Sequence, residues 1–413
     1  MAKTEPIPGT SDIFPAETHG WRYLEQCAHE VFSKYGFGEL RTPIFERTEV
    51  FLKSIGDETD IVQKEMYSFE DRGGRNLTLR PEGTASVLRA LANLGISQGD
   101  EQKVYYIGPM FRGERPAAGR KRQFHQIGLE CVGKIAPLID VESIAMLMDY
   151  IKTIGITNTK LLINTRGIKS ERGDAENALK AHFEKNIDSM CTDCQRRVST
   201  NVWRILDCKE DDCQAYVENA PMIADMIGDE SKSYFAEVLK GLDDLSIDYE
   251  LDPRLVRGLD YYEHTVFEVI YEGIGAQNAI AGGGRYKIEP PGCKAPFSGV
   301  GFALGIERLL LTRADLGIEN EGETITDIYL VSLGEAALSM NLKIAHNLRQ
   351  EGKVIQMNLE DRGIKSQMRS ANKSKAKECY ILGENEIEKN IIIIKDMDTS
   401  EQTEVPLEQF LEG

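Results

Sequence analysis

Apolar residues recur at helical spacing in 17–36, at Trp21, Leu24, Cys27, Ala28, Val31, Phe32 and Tyr35, and Gly36 follows as a C-cap. GFGELRTPIFE reads as a strand entering a loop, with Pro43 ending regular structure. Residues 66–70 and 75–80 predict a hairpin about the turn 71–74. PEGTASVLRALANLG predicts a helix opened by Pro81 and closed by Gly95. KVYYIGPMFRGE and RQFHQIGLECVG predict two strands joined by RPAAGRK, and VESIAMLMDYIKTIG another helix. Residues 165–240 are helical, richer in charge and cysteine, and read as an insertion. YELDPRLVRGLDYYEHTVFEVIYEG restores a strand pattern, and GVGFALGIERLLLTRADLG predicts strand, turn and helix. After residue 322, DIYLVSL, a helix to about Gln350, KVIQMNLE, a second helix, ECYILG and NIIIIKD alternate strand and helix. That alternation predicts a small α/β domain.

A chain of 413 residues exceeds one ordinary core and implies two or three domains. Its 41% hydrophobic and 28% charged residues suit a soluble globular protein. No apolar run nears the roughly 20 residues of a membrane helix. MAKTEPIPGTSDIFP lacks the apolar core of a signal peptide. These features point to the cytoplasm. A net charge of −18 opposes a nucleic-acid partner unless basic residues are segregated. One such run exists: Lys365, Arg369, Lys373 and Lys377 are spaced by four and share a face if helical. A solvated face is the other reading of that stripe.

The eight cysteines are expected to be reduced thiols. Four form C-x2-C-x13-C-x4-C, at Cys191, Cys194, Cys208 and Cys213. They could close a structural Zn²⁺ site or remain free thiols on helices; the second pair is wider than the usual knuckle.

FRGERPAAGRKRQFHQIGLE, residues 111–130, places Arg112, Arg115, Arg120, Lys121 and Arg122 on two strands and their loop. Guanidiniums on such a ribbon can grip a polyphosphate, although a solvated hairpin has the same composition. RGLDYY (257–262) reads as part of a strand. GGGRY (282–286) offers glycines for close approach of a ligand, or a hairpin turn. GVGFALGIERL sets Arg308 near a helix start. No G-x-x-x-x-G-K-[ST] occurs, so a P-loop is not supported.

In this order, PIPGTSDIFP, GFGELRTPIFE, TLRPEGTA, the Arg112 segment, LVRGLDYY, GGGRY and GFALGIERL resemble the histidyl-tRNA synthetase family of class II aminoacyl-tRNA synthetases. The resemblance covers essentially the whole chain. It implies ATP-dependent ligation of L-histidine to histidine tRNA through histidyl-adenylate, releasing AMP and diphosphate, with Mg²⁺ sharing the phosphate charge. It implies an α+β fold: an antiparallel-sheet catalytic domain over 1–318 with the helical insertion, and an α/β anticodon-binding domain over 323–413. It also implies a homodimer formed through GFGELRTPIFE, and tRNA contact by the Lys365–Lys377 stripe.

By the same resemblance Arg112 and Arg257 flank the α-phosphate, Glu114 and Phe124 hold adenine, and Arg120 and Arg308 clamp the outer phosphates. Glu82, Thr84 and Gln126 take the histidine ammonium. Glu130 and Tyr262 take the imidazole, with Tyr261 and Tyr286 beside them. The chain departs from the family at Ala117-Ala118, in a loop that reaches the tRNA acceptor end, and at Lys287-Ile288-Glu289 after GGGRY. Three rivals explain less. A histidine-binding regulatory subunit of ATP phosphoribosyltransferase typically lacks the C-terminal domain and loses catalytic residues. A class II amide ligase leaves RGLDYY unexplained, and a pure tRNA-binding protein leaves the arginines unexplained.

Overall fold

The computed structural model describes residues 4–56, 59–96, 99–117, 119–275, 278–319, 326–360 and 362–411. The chain divides into two compact units, Met1–Glu321 and Gly322–Gly413.

In the first unit an eight-stranded sheet runs in the order Gly38–Glu39, Gln102–Phe111, Gln123–Val132, Phe297–Gly305, Ala279–Ile288, Tyr262–Ile270, Lys160–Thr165, Glu250–Leu251. The two outermost pairings are parallel and the inner ones antiparallel. Successive residues of a strand face opposite ways, so Tyr105 and Tyr106 enter different cores. Tyr105 faces the helices Thr18–Lys34, Pro137–Thr153, Asp229–Asp244 and Ile306–Asp315, whose Leu24, Phe32, Ile144, Leu147, Val238 and Leu309 fill the main core. Tyr106 faces the other side, with Val87, Leu88, Tyr262 and Tyr286.

The same alternation divides GGGRY. Tyr286 faces the second core, while Arg285 is 1% exposed and pairs with the fully buried Asp140 at 2.5 Å. Thr265 and Tyr234 donate to the other oxygen of Asp140 at 2.7 and 3.1 Å. Arg285 is therefore an internal strut and does not reach a ligand.

Two sequence expectations shift. The helix predicted from Pro81 begins at Thr84. The Glu82 carboxylate accepts from the Thr84 and Ala85 N–H groups, both at 2.8 Å, and so satisfies the first turn in place of a backbone continuation. Arg257, read as lying in a strand, sits on a loop between Glu250–Leu251 and Tyr262–Ile270. Pro253 and Gly258 interrupt that stretch.

The insertion has its own core, in which Leu179, Phe183, Trp203, Ile205 and Val217 meet. Its helices include Gly173–Glu184, Thr192–Thr200 and Asp211–Glu218. The following helix, Asp229–Asp244, instead sends Phe235, Val238 and Leu242 into the main core.

The second unit is a five-stranded mixed sheet ordered Ile355–Met357, Ile328–Ser332, Glu378–Leu382, Ile391–Asp396, Gln402–Pro406. Alternate residues of Ile328–Ser332 face opposite helices. Ile328 and Leu330 pack with Ile344 and Leu348 of Glu335–Gln350, and Tyr329 and Val331 pack with Ala371 of Ile364–Lys373. The edge strand Gln402–Pro406 is mostly exposed, so it carries no apolar alternation to read in advance. Lys377 does not extend the basic helical face: the helix stops at Lys373 and Lys375 takes a left-handed φ of 49°. Lys377 instead lies 2.9 Å from Asp327. Lys365, Arg369 and Lys373 are exposed on the helix. Among the described residues no helix is long and apolar enough to cross a membrane.

Candidate active site

Every side chain the sequence assigned to histidine or ATP lines one cleft, with a cavity volume of about 200 Å³, over the sheet face that carries Tyr106, Tyr262 and Tyr286. The adjacent strands Gln102–Phe111 and Gln123–Val132 supply Arg112, Phe124, Gln126 and Glu130 at or near their ends.

The inner end is acidic. Glu82 and Glu130 are 4% and 2% exposed, and the Thr84 hydroxyl donates to Glu130 at 2.6 Å. Burial pushes the Glu130 carboxyl up to about 8, against the lowering effect of the Thr84 and Tyr286 hydroxyls. Burial also raises Glu82, against its backbone N–H donors. Among the described residues neither carboxyl is ion-paired. The side-chain oxygen of Gln126 is buried with no hydrogen-bond partner among them. Buried acceptors of this kind favour a ligand that brings N–H donors and positive charge.

The outer end is basic. Arg112 donates from Nε to the Pro81 carbonyl at 2.9 Å and lies 5.2 Å from the centre of the Phe124 ring. Glu114 sits between Arg112, at 3.9 Å, and Arg120, at 2.5 Å. Arg308 donates to the carbonyls of Gly119 and Ala279 at 2.9 and 2.6 Å. Burial lowers its pKa, and the neighbouring Arg120 and Arg112 add to that. Arg257 is ion-paired with Glu268. A Cβ at Gly282 would fall 2.5 Å from Arg257 Nη2, so the first glycine of GGGRY makes room for a guanidinium. Guanidiniums crowded in this way are stabilised by a polyanion.

Among the cleft residues that escaped the sequence reading, three have polar side chains: Tyr106, Glu268 and Glu307. Glu307 accepts from the His125 backbone N–H at 3.0 Å and so anchors the strand bearing Phe124 and Gln126. Its position beside Arg308 was the available signal. Glu268 had none, since it is one charged residue among several in its strand.

Outside the cleft, the thiol sulfurs of Cys191, Cys194, Cys208 and Cys213 all lie within 4.8 Å of one another. Cys191 and Cys208 are 3.8 Å apart. Four sulfurs around Zn²⁺ at about 2.3 Å would be separated by about 3.8 Å along each edge. Burial raises the Cys191 thiol, but the Cys194 N–H and the neighbouring thiols outweigh it and leave Cys191 below the ordinary value. Burial pushes Cys208 up to about 11. Lys365, Arg369, Lys373 and Lys377 belong to the second unit. Ala117 pairs with Arg120 across a tight bridge, and Ala118 lies outside the described residues.

Residues 9–309 match the family model described as histidyl-tRNA synthetase, and 327–413 match the anticodon binding domain. The chain is 47% identical to a histidine–tRNA ligase of Geobacillus sp. (strain WCH70), covering 98% of this chain and 97% of that one. It is 45% identical to the histidine–tRNA ligase of Bacillus subtilis (strain 168), covering 98% and 96%. The apo histidyl-tRNA synthetase of S. aureus superposes with a TM-score of 0.80 at 37% identity, each chain covered in full. A catalytic unit built on a largely antiparallel sheet, followed by an anticodon-binding domain, is the arrangement these relatives lead one to expect, and the chain belongs to the histidyl-tRNA synthetase family.

Proposed function

We propose that this chain activates L-histidine with ATP and transfers it to histidine tRNA. The observation that carries this reading is one cleft with the buried carboxyls Glu82 and Glu130, neither ion-paired among the described residues, at one end and Arg112, Arg120, Arg257 and Arg308 at the other. The histidine carboxylate attacks the α-phosphorus of ATP, and the bond to the diphosphate leaving group breaks. A terminal ribose hydroxyl of the tRNA then attacks the acyl carbon of the adenylate, and AMP leaves. Arg112 and Arg257 stabilise the negative charge that builds on the α-phosphoryl group. Arg120 and Arg308 hold the outer phosphates, while Glu114 and Phe124 take adenine. Glu114 and Glu268 also offer the hard oxygen donors suited to a Mg²⁺ that arrives with the nucleotide and neutralises phosphate charge. Glu82, Thr84 and Gln126 receive the ammonium group. Glu130 and Tyr262, flanked by Tyr261 and Tyr286, receive the imidazole N–H groups. An analogue lacking a ring N–H would leave Glu130 without its partner, so discrimination is steep.

Pyrophosphate exchange tests this reading. Labelled diphosphate enters ATP when histidine is present and not with other amino acids. Histidine binding without exchange would instead indicate a binding-only paralogue.

Residues 1–318 form the proposed catalytic domain and 323–413 the anticodon reader, where Lys365, Arg369 and Lys373 face the tRNA backbone. Lys377, held by Asp327, contributes less. Ile44, Phe45 and Phe69 are 45%, 52% and 45% exposed on or beside the small sheet of Phe45–Arg47, Asn76–Leu79 and Ser68–Glu70. This apolar surface supports a homodimer, which light scattering would report as twice 46.3 kDa. The proposed site of action is the cytoplasm, where ATP and tRNA meet.

The four thiols hold a structural Zn²⁺, through Cys191, Cys194, Cys208 and Cys213. Metal analysis of protein purified without added metal should find about one zinc per chain. Cys194→Ala should lower that value and the stability together. Zinc near zero in the unaltered protein would remove the assignment.

A further inference from the structure

The loop that presents Arg257, Leu259, Tyr261 and Tyr262 to the cleft is held from behind by the insertion. Arg204 Nη1 donates to the Gly258 carbonyl at 2.8 Å. Asn201 Nδ2 donates to Asp260 Oδ1 at 2.7 Å. Arg172 donates to the Tyr262 carbonyl. Three side chains from one insertion therefore grip a five-residue stretch, 258–262, whose other side forms the cleft.

The grip is itself anchored. Arg204 and Arg197 both reach Asp60 Oδ2, at 3.0 and 3.1 Å, and Arg196 reaches Asp60 Oδ1 at 3.6 Å. Arg197 and Arg204 are 16% and 14% exposed, so these are not solvated surface pairs. Asp60 belongs to the catalytic unit. Five residues on, the Glu65 carbonyl accepts from the Gly113 N–H at 2.7 Å, next to Arg112. The preceding Gly56, with φ of 102°, backs onto Asp260, where a Cβ would come within 3.1 Å of its carboxylate. Arg196, Arg197 and Arg204 of the insertion are thus committed to the Asp60 carboxylate, and Arg204 also to the loop.

We propose that Arg204, anchored on Asp60, and Asn201, bonded to Asp260, are positioning residues that set the affinity for histidine by fixing the loop 258–262. The insertion is then a brace for the amino-acid pocket. This rests on the histidine reading above. The Arg204 guanidinium is suited to the task because one planar fork bonds Gly258 and Asp60 together. A displaced loop would move Arg257 and the tyrosines off the substrate, and misplacement of about 1 Å is enough to cost roughly 100-fold in rate.

The test uses the full chain in pyrophosphate exchange, with KM measured separately for histidine and ATP. Arg204→Met raises the histidine KM at least about tenfold and leaves the ATP KM within about twofold. Asn201→Asp, which sets two carboxylates against each other, raises the histidine KM in the same way. Adding Asp260→Asn to Asn201→Asp restores the hydrogen bond with donor and acceptor exchanged, and recovers most of the histidine KM. A general loss of folding would not be repaired by that exchange. If Arg204→Met folds and keeps an unchanged histidine KM, the brace is overturned. It is equally overturned if the exchanged pair performs no better than Asn201→Asp alone. Absence of histidine-dependent exchange in the unaltered chain overturns the histidine reading itself, and the brace with it.

Discussion

Arg257→Ala removes histidine-dependent pyrophosphate exchange, by at least about a thousandfold, while the fold survives. The guanidinium lines the same cleft as Arg112, beside the space left by Gly282. There it can meet both the histidine carboxylate and the α-phosphoryl oxygens. Removing one preorganised donor from the place where charge develops typically costs 10²–10³ in rate. In the proposed role Arg257 also fixes the nucleophile, so the loss of position adds to the loss of charge. The variant leaves Glu268 as a carboxylate freed from its ion pair at the cleft edge, where it would repel phosphate and deepen the defect. Because Arg257 is on a loop and its side chain is 24% exposed, its removal opens no deep cavity. Circular dichroism and the unfolding midpoint should therefore stay close to those of the parent. Exchange within tenfold of the parent would refute the role assigned here. Arg257→Lys should recover little, since an ammonium cannot bridge two oxyanions with a planar fork.

Arg285→Met destabilises the folded chain by about 3–5 kcal/mol, the usual cost of leaving one partner of a buried ion pair alone. Asp140 is 0% exposed, and Arg285 supplies two of its hydrogen bonds, from Nε at 2.9 Å and Nη2 at 2.5 Å. Thr265 and Tyr234 remain as donors but bring no positive charge. The loss is a large share of the stability of an ordinary domain, so the variant is expected to be poorly soluble at 37 °C. Pairing it with Asp140→Leu should recover part of the loss, since an apolar pair removes the stranded charge. Urea unfolding of the two variants measures this. A loss below about 1 kcal/mol for the single variant would show that Asp140 is not charged in the folded chain. Arg285 and Arg257 thus separate by assay: one substitution removes stability and the other removes chemistry.

The glycine and arginine motifs were legible in the chain because they are local. Arg112, Arg120 and Phe124 lie on one ribbon, and neighbouring strands joined by a short loop keep them together. The period-2 pattern of the strands was likewise readable, although the exposed edge Gln402–Pro406 had no such pattern to read. The basic stripe was read one turn too long. Spacing by four carries no information about where a helix stops, and the left-handed Lys375 ends it before Lys377.

The chain by itself determined the alternation of elements, the two-unit organisation it suggests, the arginine-rich ribbon and the four-cysteine spacing. These follow from side-chain period and from chemistry that neighbours in sequence share. Tertiary structure alone decided which residues of a motif do which task. Strand alternation sent Arg285 to Asp140 and Tyr286 to the cleft, although they are adjacent. Packing of the Arg257 loop onto the sheet brought Arg257 to Glu268 across 11 positions, and folding of the insertion brought Asp60 within 3.0 Å of Arg204 across 144 positions. The same folding gathered four thiols within 4.8 Å. Pairings of that kind depend on where distant segments cross, and a one-dimensional pattern of apolar and polar positions does not encode it.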